Sequence, residues 1–327
     1  MTDPNAPVLD WPRAKGERGR EVWYGLVGPR DGSRAFWYRY TLLSTSGGRR
    51  EGRVWAALTD GEKSSFTSRS FPFSTVRHRD DPFALEIGDE DDEGGELTSS
   101  SVWGSLPEAG VEWDLTHDPD DYAFTPLRSR RLTDLLGVLA DAGKHWSRNE
   151  SVLTSGSVTV GDHTVEFEAA PGHQGHTVGT YPPERWRWVQ CNGFENPDVS
   201  LEALDLDGTL SVLFRRGDDV YPLNRLWHVL RNNRTLRDDV GHWRFRASGA
   251  GVELTATVRA DPEGWQTVAY CAPDETLRYN AHCSVSDVTL TYRLDGADPV
   301  TVESPAGRAE WVGSDPPISG EYRPSWD

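Results

Sequence analysis

Most of this chain is a succession of short runs in which large side chains alternate with polar ones, each closed by a Gly, Pro or Asp-Gly break. Runs at 21–27, 35–44, 53–60, 64–76 and 83–87 lead, with breaks such as Arg30-Asp31-Gly32 and Asp60-Gly61. They resume at 97–103 and 110–115 and form a hairpin, 151–160 and 163–169, across Gly161-Asp162. They continue at 209–215, 240–247, 252–260, 265–272, 288–294 and 300–303. Successive strand side chains point to opposite faces, so this period with turn signals between runs predicts an all-β barrel or sandwich. One stretch breaks the pattern. Leu132, Leu135, Leu136 and Leu139 stand at i, i+3, i+4 and i+7, which predicts a helix from Ser129 to Gly143. Leu223, Leu226, Trp227 and Leu230 have similar spacing and allow a second, short one. A chain of 327 residues suits two domains or one large one, and both halves read as a series of strands.

Charge narrows the partners. Asp plus Glu number 52 against 34 Lys plus Arg, a net charge of −18. Such a surface repels polyanions, so no nucleic-acid partner and no stable membrane insertion are predicted, at most transient membrane contact. Three basic residues are Lys (Lys15, Lys63, Lys144); Arg in place of Lys, with abundant Asp, fits a salt-adapted, halophilic surface. The acidic run 88–96 reads as a solvated hairpin tip, and residues 1–20 as a loosely held polar arm. No apolar run approaches a membrane span and the N-terminus lacks a secretory core, which predicts a cytoplasmic protein. Cys191, Cys271 and Cys283 have no metal-like spacing and read as free thiols.

The richest stretch is 171–195, PGHQGHTVGTYPPERWRWVQCNGFE. After the Pro182-Pro183 break, Trp186, Trp188, Gln190, Asn192 and Phe194 fall on alternate positions. As a strand they share one face, which carries two indoles, a phenyl and two amides. A stripe of rings with a few hydrogen-bonding groups suits a pocket for an apolar ligand; it equally suits an ordinary packed β core. His173 and His176 are three apart and so face opposite ways on a strand, which argues against joint metal chelation. They leave acid–base work on an apolar substrate. A proton delivered to an alkene creates a carbocation that indole faces stabilise, a role for Trp186 and Trp188. His176 and Glu195 are the candidate proton-handling groups, the second only if a bulge at Gly193 turns it inward. Earlier in the chain Phe36, Tyr38 and Tyr40 share one face of a run and Trp37 and Arg39 the other. Arg39 is expected to meet a carboxylate inside a barrel or to face solvent.

The run WRWVQCNGFE at 186–195 resembles the signature of the tocopherol cyclase family, with its aromatic pair, Gln-Cys-Asn and following Phe-Glu. Gly175-His176-Thr177-Val178-Gly179 is similar to the Asp-His-x-Trp-Gly pattern of the related carotenoid 1,2-hydratases and AttH-like proteins. His176 and Gly179 match it, while Gly175 and Val178 replace the acid and the Trp. The run FWYRYTLL at 36–43 and the hairpin residues 155–160 also fit these proteins. The resemblance implies two lipocalin-like antiparallel barrels side by side, at 1–183 and 184–327, with the central motif near their junction. It implies acid-catalysed cyclisation or hydration of a prenyl or polyene double bond inside an apolar barrel cavity, with no cofactor and no metal. Catalytic His176 and Glu195, and substrate-binding Trp186, Trp188, Gln190, Asn192, His173 and Tyr38, are the expected site, and an apolar or isoprenoid small molecule the expected ligand. The rivals are a non-catalytic lipid carrier on the same fold and a sugar-binding sandwich with a shallow groove.

Overall fold

The computed structural model describes residues 3, 5–9, 17–61, 63–89, 93–120, 122–126, 144–180, 183–261 and 265–324. The helix expected at 129–143 lies outside them.

The described residues are nearly all β, in two eleven-stranded sheets that are antiparallel except for one short parallel pairing at the edge of the second. The first holds β1 (Gly19–Val27), β2 (Arg34–Ser44), β3 (Arg50–Asp60), β4 (Lys63–Pro72), β5 (Val76–Asp80), β6 (Phe83–Gly88), β7 (Gly94–Thr98), β8 (Ser101–Leu106), β9 (Val111–His117), β10 (Lys144–Val160) and β11 (His163–Gly179). Its hydrogen-bonded order is 4-3-2-1-11-10-9-8-7-6-5. β4 and β5 end that order yet are consecutive in the chain, joined by the turn Phe73–Thr75, so the sheet rolls nearly closed. The second sheet holds β12 (Arg185–Cys191), β13 (Val199–Leu206), β14 (Thr209–Arg216), β15 (Asp219–Leu223), β16 (Arg234–Asp239), β17 (His242–Gly249), β18 (Val252–Arg259), β19 (Trp265–Cys271), β20 (Leu277–Leu294), β21 (Val300–Gly313) and the short β22 (Arg323–Pro324). Its order is 15-14-13-12-21-20-18-17-16, with β19 between β20 and β22. The same plan is used twice: a four-strand meander whose first strand, β1 or β12, closes against the last long hairpin.

Each barrel is filled by its inward faces. Trp23, Phe36, Tyr40, Phe83 and Trp113 pack in the first and Val189, Phe214, Trp243, Phe245 and Leu290 in the second. The hairpin across Gly161-Asp162 forms as expected, with Gly161 at φ 60° in its turn. Within the N-terminal arm expected to be loose, the described residues 5–9 are tied down. Asn5 donates to Gln174 Oε1 (3.0 Å), Trp23 Nε1 donates to the Asn5 carbonyl (2.8 Å), and the Val8 amide donates to the buried Glu21 carboxylate (2.6 Å).

A third cluster joins the barrels. Trp37, Trp55 and Leu26 of the first meet Trp188, Leu204, Tyr270 and Val312 of the second. The strands at this contact are buried on both faces, and β2 runs from Ala35 to Ser44 without an exposed residue.

Candidate functional site between the barrels

Trp186 and Trp188, the two indoles of the aromatic stripe, line a cleft between the barrels, not a chamber inside one. β12 directs Val189 and Cys191 into the second core and Trp186 and Trp188 outward against the first barrel. β1 presents Arg20, Val22 and Tyr24 from the opposite wall, and β2 presents Trp37 and Arg39. The cleft encloses about 130 Å³, close to the roughly 150 Å³ that accepts a benzene ring. It therefore holds one ring-sized group, and a longer ligand continues past the half-buried Arg20, Trp186 and Leu206.

Both walls carry apolar groups: Val22 and Trp37 from the first barrel, and Trp186, Trp188, Leu204 and Leu206 from the second. Charged groups stand among them. Arg39 is 8% exposed, donates from Nε to Thr41 Oγ1 (3.1 Å), and stacks on Tyr270 (5.1 Å) and Trp55 (5.2 Å). It neither pairs inside a barrel nor faces solvent. Burial, with Arg20 nearby, lowers its pKa to about 10, so it stays charged at neutral pH. Arg20 lies over the same Tyr270 ring (4.7 Å), and its Nη1 is buried without a partner. Glu310 Oε1 accepts from His282 Nδ1 (3.0 Å) and Asn280 Nδ2 (3.2 Å). Burial opposes its ionisation, but the His282 bond, the His282 and Arg39 charges and the Asn280 bond outweigh it and hold its pKa low.

Beside the cleft is a buried chain of polar groups. His145 lines the cleft, and its Nε2 is 3.3 Å from Glu202 Oε1. The same oxygen accepts from Ser147 Oγ (2.7 Å) and Trp188 Nε1 (3.0 Å). Tyr24 also lines the cleft, and burial raises its pKa, so the phenol stays neutral. Burial works against the Glu202 charge, yet His145, His173 and the Trp188 bond keep its pKa low. Glu202 Oε2 and His173 Nε2 are both buried without partners.

The structure redistributes the expected site. Trp186 and Trp188 line the cleft. His173 packs beside it, with its ring 5.4 Å from Trp188 and Nδ1 3.0 Å from the Glu150 carbonyl, and burial lowers its pKa. His176 is elsewhere, in the first barrel's interior. It is stacked on Trp23 (4.5 Å) and bonded to Glu21 (2.9 Å), because β11 turns positions 173 and 176 to opposite faces. Tyr38 is likewise interior, 3.5 Å from Gln174 Nε2. Glu195 is exposed: the chain leaves β12 at Cys191, which sends Phe194 into the second core and Glu195 to solvent. Gln190 and Asn192 do not face the cleft. They donate to the carbonyls of Glu150 (3.1 Å) and Gly172 (2.7 Å), and Arg308 donates to Asn192 Oδ1 (2.9 Å), Gln190 Oε1 (3.3 Å) and the Pro171 carbonyl (3.0 Å). These amides clamp the barrels together. Sequence reasoning passed over Arg20, Tyr24, His145, Glu202 and Glu310. The available signal was a carboxylate flanked by apolar residues in a strand-like run, Glu202 between Leu201 and Ala203 and Glu310 between Ala309 and Trp311. Among the described residues no group of three His, Cys, Asp or Glu is arranged to hold a metal.

Two packed antiparallel barrels with a ligand-sized cleft at their junction define a lipocalin-like two-barrel protein. Solved structures share that architecture. CghA bound to Sch210972 is 14% identical, with a TM-score of 0.62 over 90% of this chain and 88% of the other. CghA alone gives 0.60 at 14% identity over 95% and 94%. An AttH-like protein from Nitrosomonas europaea gives 0.50 at 11% identity over 94% and 98%. No family model matches the chain, and no curated protein matches its sequence. No helix among the described residues is long and apolar enough to cross a membrane.

Proposed function

We propose that this chain is a cofactor-independent cyclase that closes a ring in an apolar polyene or prenyl substrate held in the cleft between its barrels. The observation that carries this reading is the mixed lining of the cleft: indoles and leucines together with Arg20, Arg39, Glu310 and His145 around one ring-sized space. CghA, a lipocalin-like cyclase solved with a small molecule, supports a reading of this class on this fold. The hydrocarbon lies along Trp186 and Trp188, and an oxygen-bearing end reaches the Arg20 and Arg39 guanidiniums. Proton handling moves from His176 and Glu195 to His145, whose imidazole reaches the cleft with the buried Glu202 carboxylate behind it. His145 delivers a proton to the substrate double bond. The π electrons of a second double bond form the new ring bond, and a proton lost from the neighbouring carbon returns to the imidazole. The product is an isomer of the substrate. Indole faces and the ionised Glu310 stabilise the cationic carbon between these steps.

The test is incubation with a panel of polyenes and prenylated phenols, read by chromatography and mass spectrometry. A product of unchanged mass and new retention supports cyclisation. A product heavier by one water assigns hydration instead. Bound but unaltered ligand assigns the carrier reading. His145→Gln and Glu202→Gln are expected to lower turnover at least 100-fold with binding retained, as loss of a general acid–base group does. His176→Gln and Glu195→Gln are expected to keep it within a few-fold when folded. The reverse pattern would return the chemistry to the residues first named.

A further inference from the structure

We propose that the outer face of the second barrel, around β16–β18 and the helical turn before β16, docks on an anionic lipid bilayer. The inference is independent of the reaction proposed for the cleft. The helical turn His228–Asn232 and the two residues before it leave Trp227 54% and Leu230 70% exposed, with Leu226 beside them. On one turn, positions four apart share a side, so Leu226 and Leu230 project together. Leu236 on β16 is 49% exposed close by in sequence. Single exposed leucines are ordinary; a cluster with a tryptophan needs a partner.

Its surroundings indicate which. Arg225 stacks on the Trp227 ring (5.2 Å). Arg231, Arg246 and Arg293 surround one hollow with Thr255, Thr291 and Glu253. Arg234 stands directly opposite Arg246 across β16 and β17, and Arg237 opposite Arg244. Like charges in direct register destabilise a sheet unless an anion lies over them. Arg237 pairs with Asp239 and Arg293 stands opposite Glu253 across β18 and β20, but among the described residues Arg231, Arg234, Arg244 and Arg246 form no ion pair. This concentration of cations occurs on a chain of net charge −18. Charge on other faces does not cancel it, because the Debye length in physiological salt is about 8 Å. Nucleic acid would use the arginines but not the leucines. A bilayer uses both: headgroup phosphates meet the guanidiniums, while Trp227, Leu226 and Leu230 enter the acyl boundary.

The test is flotation of the whole chain with phosphatidylcholine vesicles containing either no or about 30% phosphatidylglycerol, where juxtamembrane Arg attraction is expected to act. Binding is expected only to the anionic vesicles, and to fall in high salt. The R231Q/R246Q/R293Q variant is expected to lose on the order of 100-fold in partition constant. Trp227→Ser with Leu230→Ser is expected to lose at least tenfold. Both sets are exposed, so far-UV circular dichroism should match the parent. Absence of binding, equal binding to neutral and anionic vesicles, or an unchanged triple variant would overturn the proposal. So would retention of an RNA homopolymer with no retention of vesicles.

Discussion

Glu150 and Glu202 are fully buried carboxyl groups at the same inter-barrel contact, and their surroundings drive them in opposite directions. Glu202 is held ionised by His145, His173 and Trp188. Glu150 has Ser200 on Oε2 (3.0 Å) and Arg215 at 3.6 Å, but nothing on Oε1. Burial, with the charge of Glu202, raises its pKa to about 8. The consequence for stability has a definite sign. Below the ordinary carboxylate range both folded and unfolded chains keep this proton, and burial carries no penalty. From there up to about pH 8 the unfolded chain ionises while the folded one stays neutral, so stability falls as pH rises. Above that pH the slope ends. Glu150→Gln keeps an acceptor for Ser200 and removes the titration. Urea unfolding should show the variant gaining on the parent steadily between pH 5 and 8, by a few kcal/mol at most. Parallel pH profiles would show that Glu150 does not titrate in this window.

At the scale of the strand, one register explains the glycine at 175. Tyr24 on β1 pairs with Gly175 on β11, and a β-carbon at 175 would fall against the Tyr24 hydroxyl and ring. The missing side chain lets the phenol lie across β11 toward the cleft. Gly175→Ala should therefore cost about 1–3 kcal/mol by overpacking. In a Tyr24→Ala background the same change should cost almost nothing, because the obstructing ring is gone. Equal costs in the two backgrounds would remove this account. Strands were legible to about this depth. The runs at β1, β2, β3 and β18, the hairpin of β10 and β11, and the all-β class follow from period two and turn residues. Which face of β12 looks inward did not follow. A strand buried on both sides carries large groups on both, so alternation cannot say which face meets the core and which the other barrel. For that reason the alternation points to Trp186 and Trp188 as exposed to a pocket but puts that pocket inside a barrel, whereas the cleft they line is between the two. His145, Glu202 and Glu310 come from three strands and meet only through the packing of the two barrels, which no local pattern encodes.

At the scale of the molecule, the cleft exists only while the barrels are held together, and much of the holding falls to one buried cation. Arg308 is 1% exposed and bridges Gln190, Asn192 and the Pro171 carbonyl, while Arg30 ties the first barrel to the carbonyls of Asn192 (2.9 Å) and Phe194 (3.0 Å). Burial depresses the Arg308 pKa to about 10, and none of its hydrogen-bond acceptors is a carboxylate. Two effects oppose each other in Arg308→Met. Removing a desolvated cation favours the folded chain. Leaving two buried amide oxygens, Gln190 Oε1 and Asn192 Oδ1, without a donor costs about 1–3 kcal/mol each, while the Pro171 carbonyl keeps the Gly28 amide, and this loss is the larger effect. The loss falls on the contact, because each barrel keeps its own hydrophobic core. The parent is expected to unfold in a single urea transition, and Arg308→Met in two, with near-ultraviolet ellipticity from the junction tryptophans lost in the first. Addition of a cleft ligand should move that first transition to higher urea and leave the second in place. A single coincident transition in the variant would mean that the aromatic cluster of Trp37, Trp55 and Trp188 and the remaining hydrogen bonds hold the barrels together without Arg308.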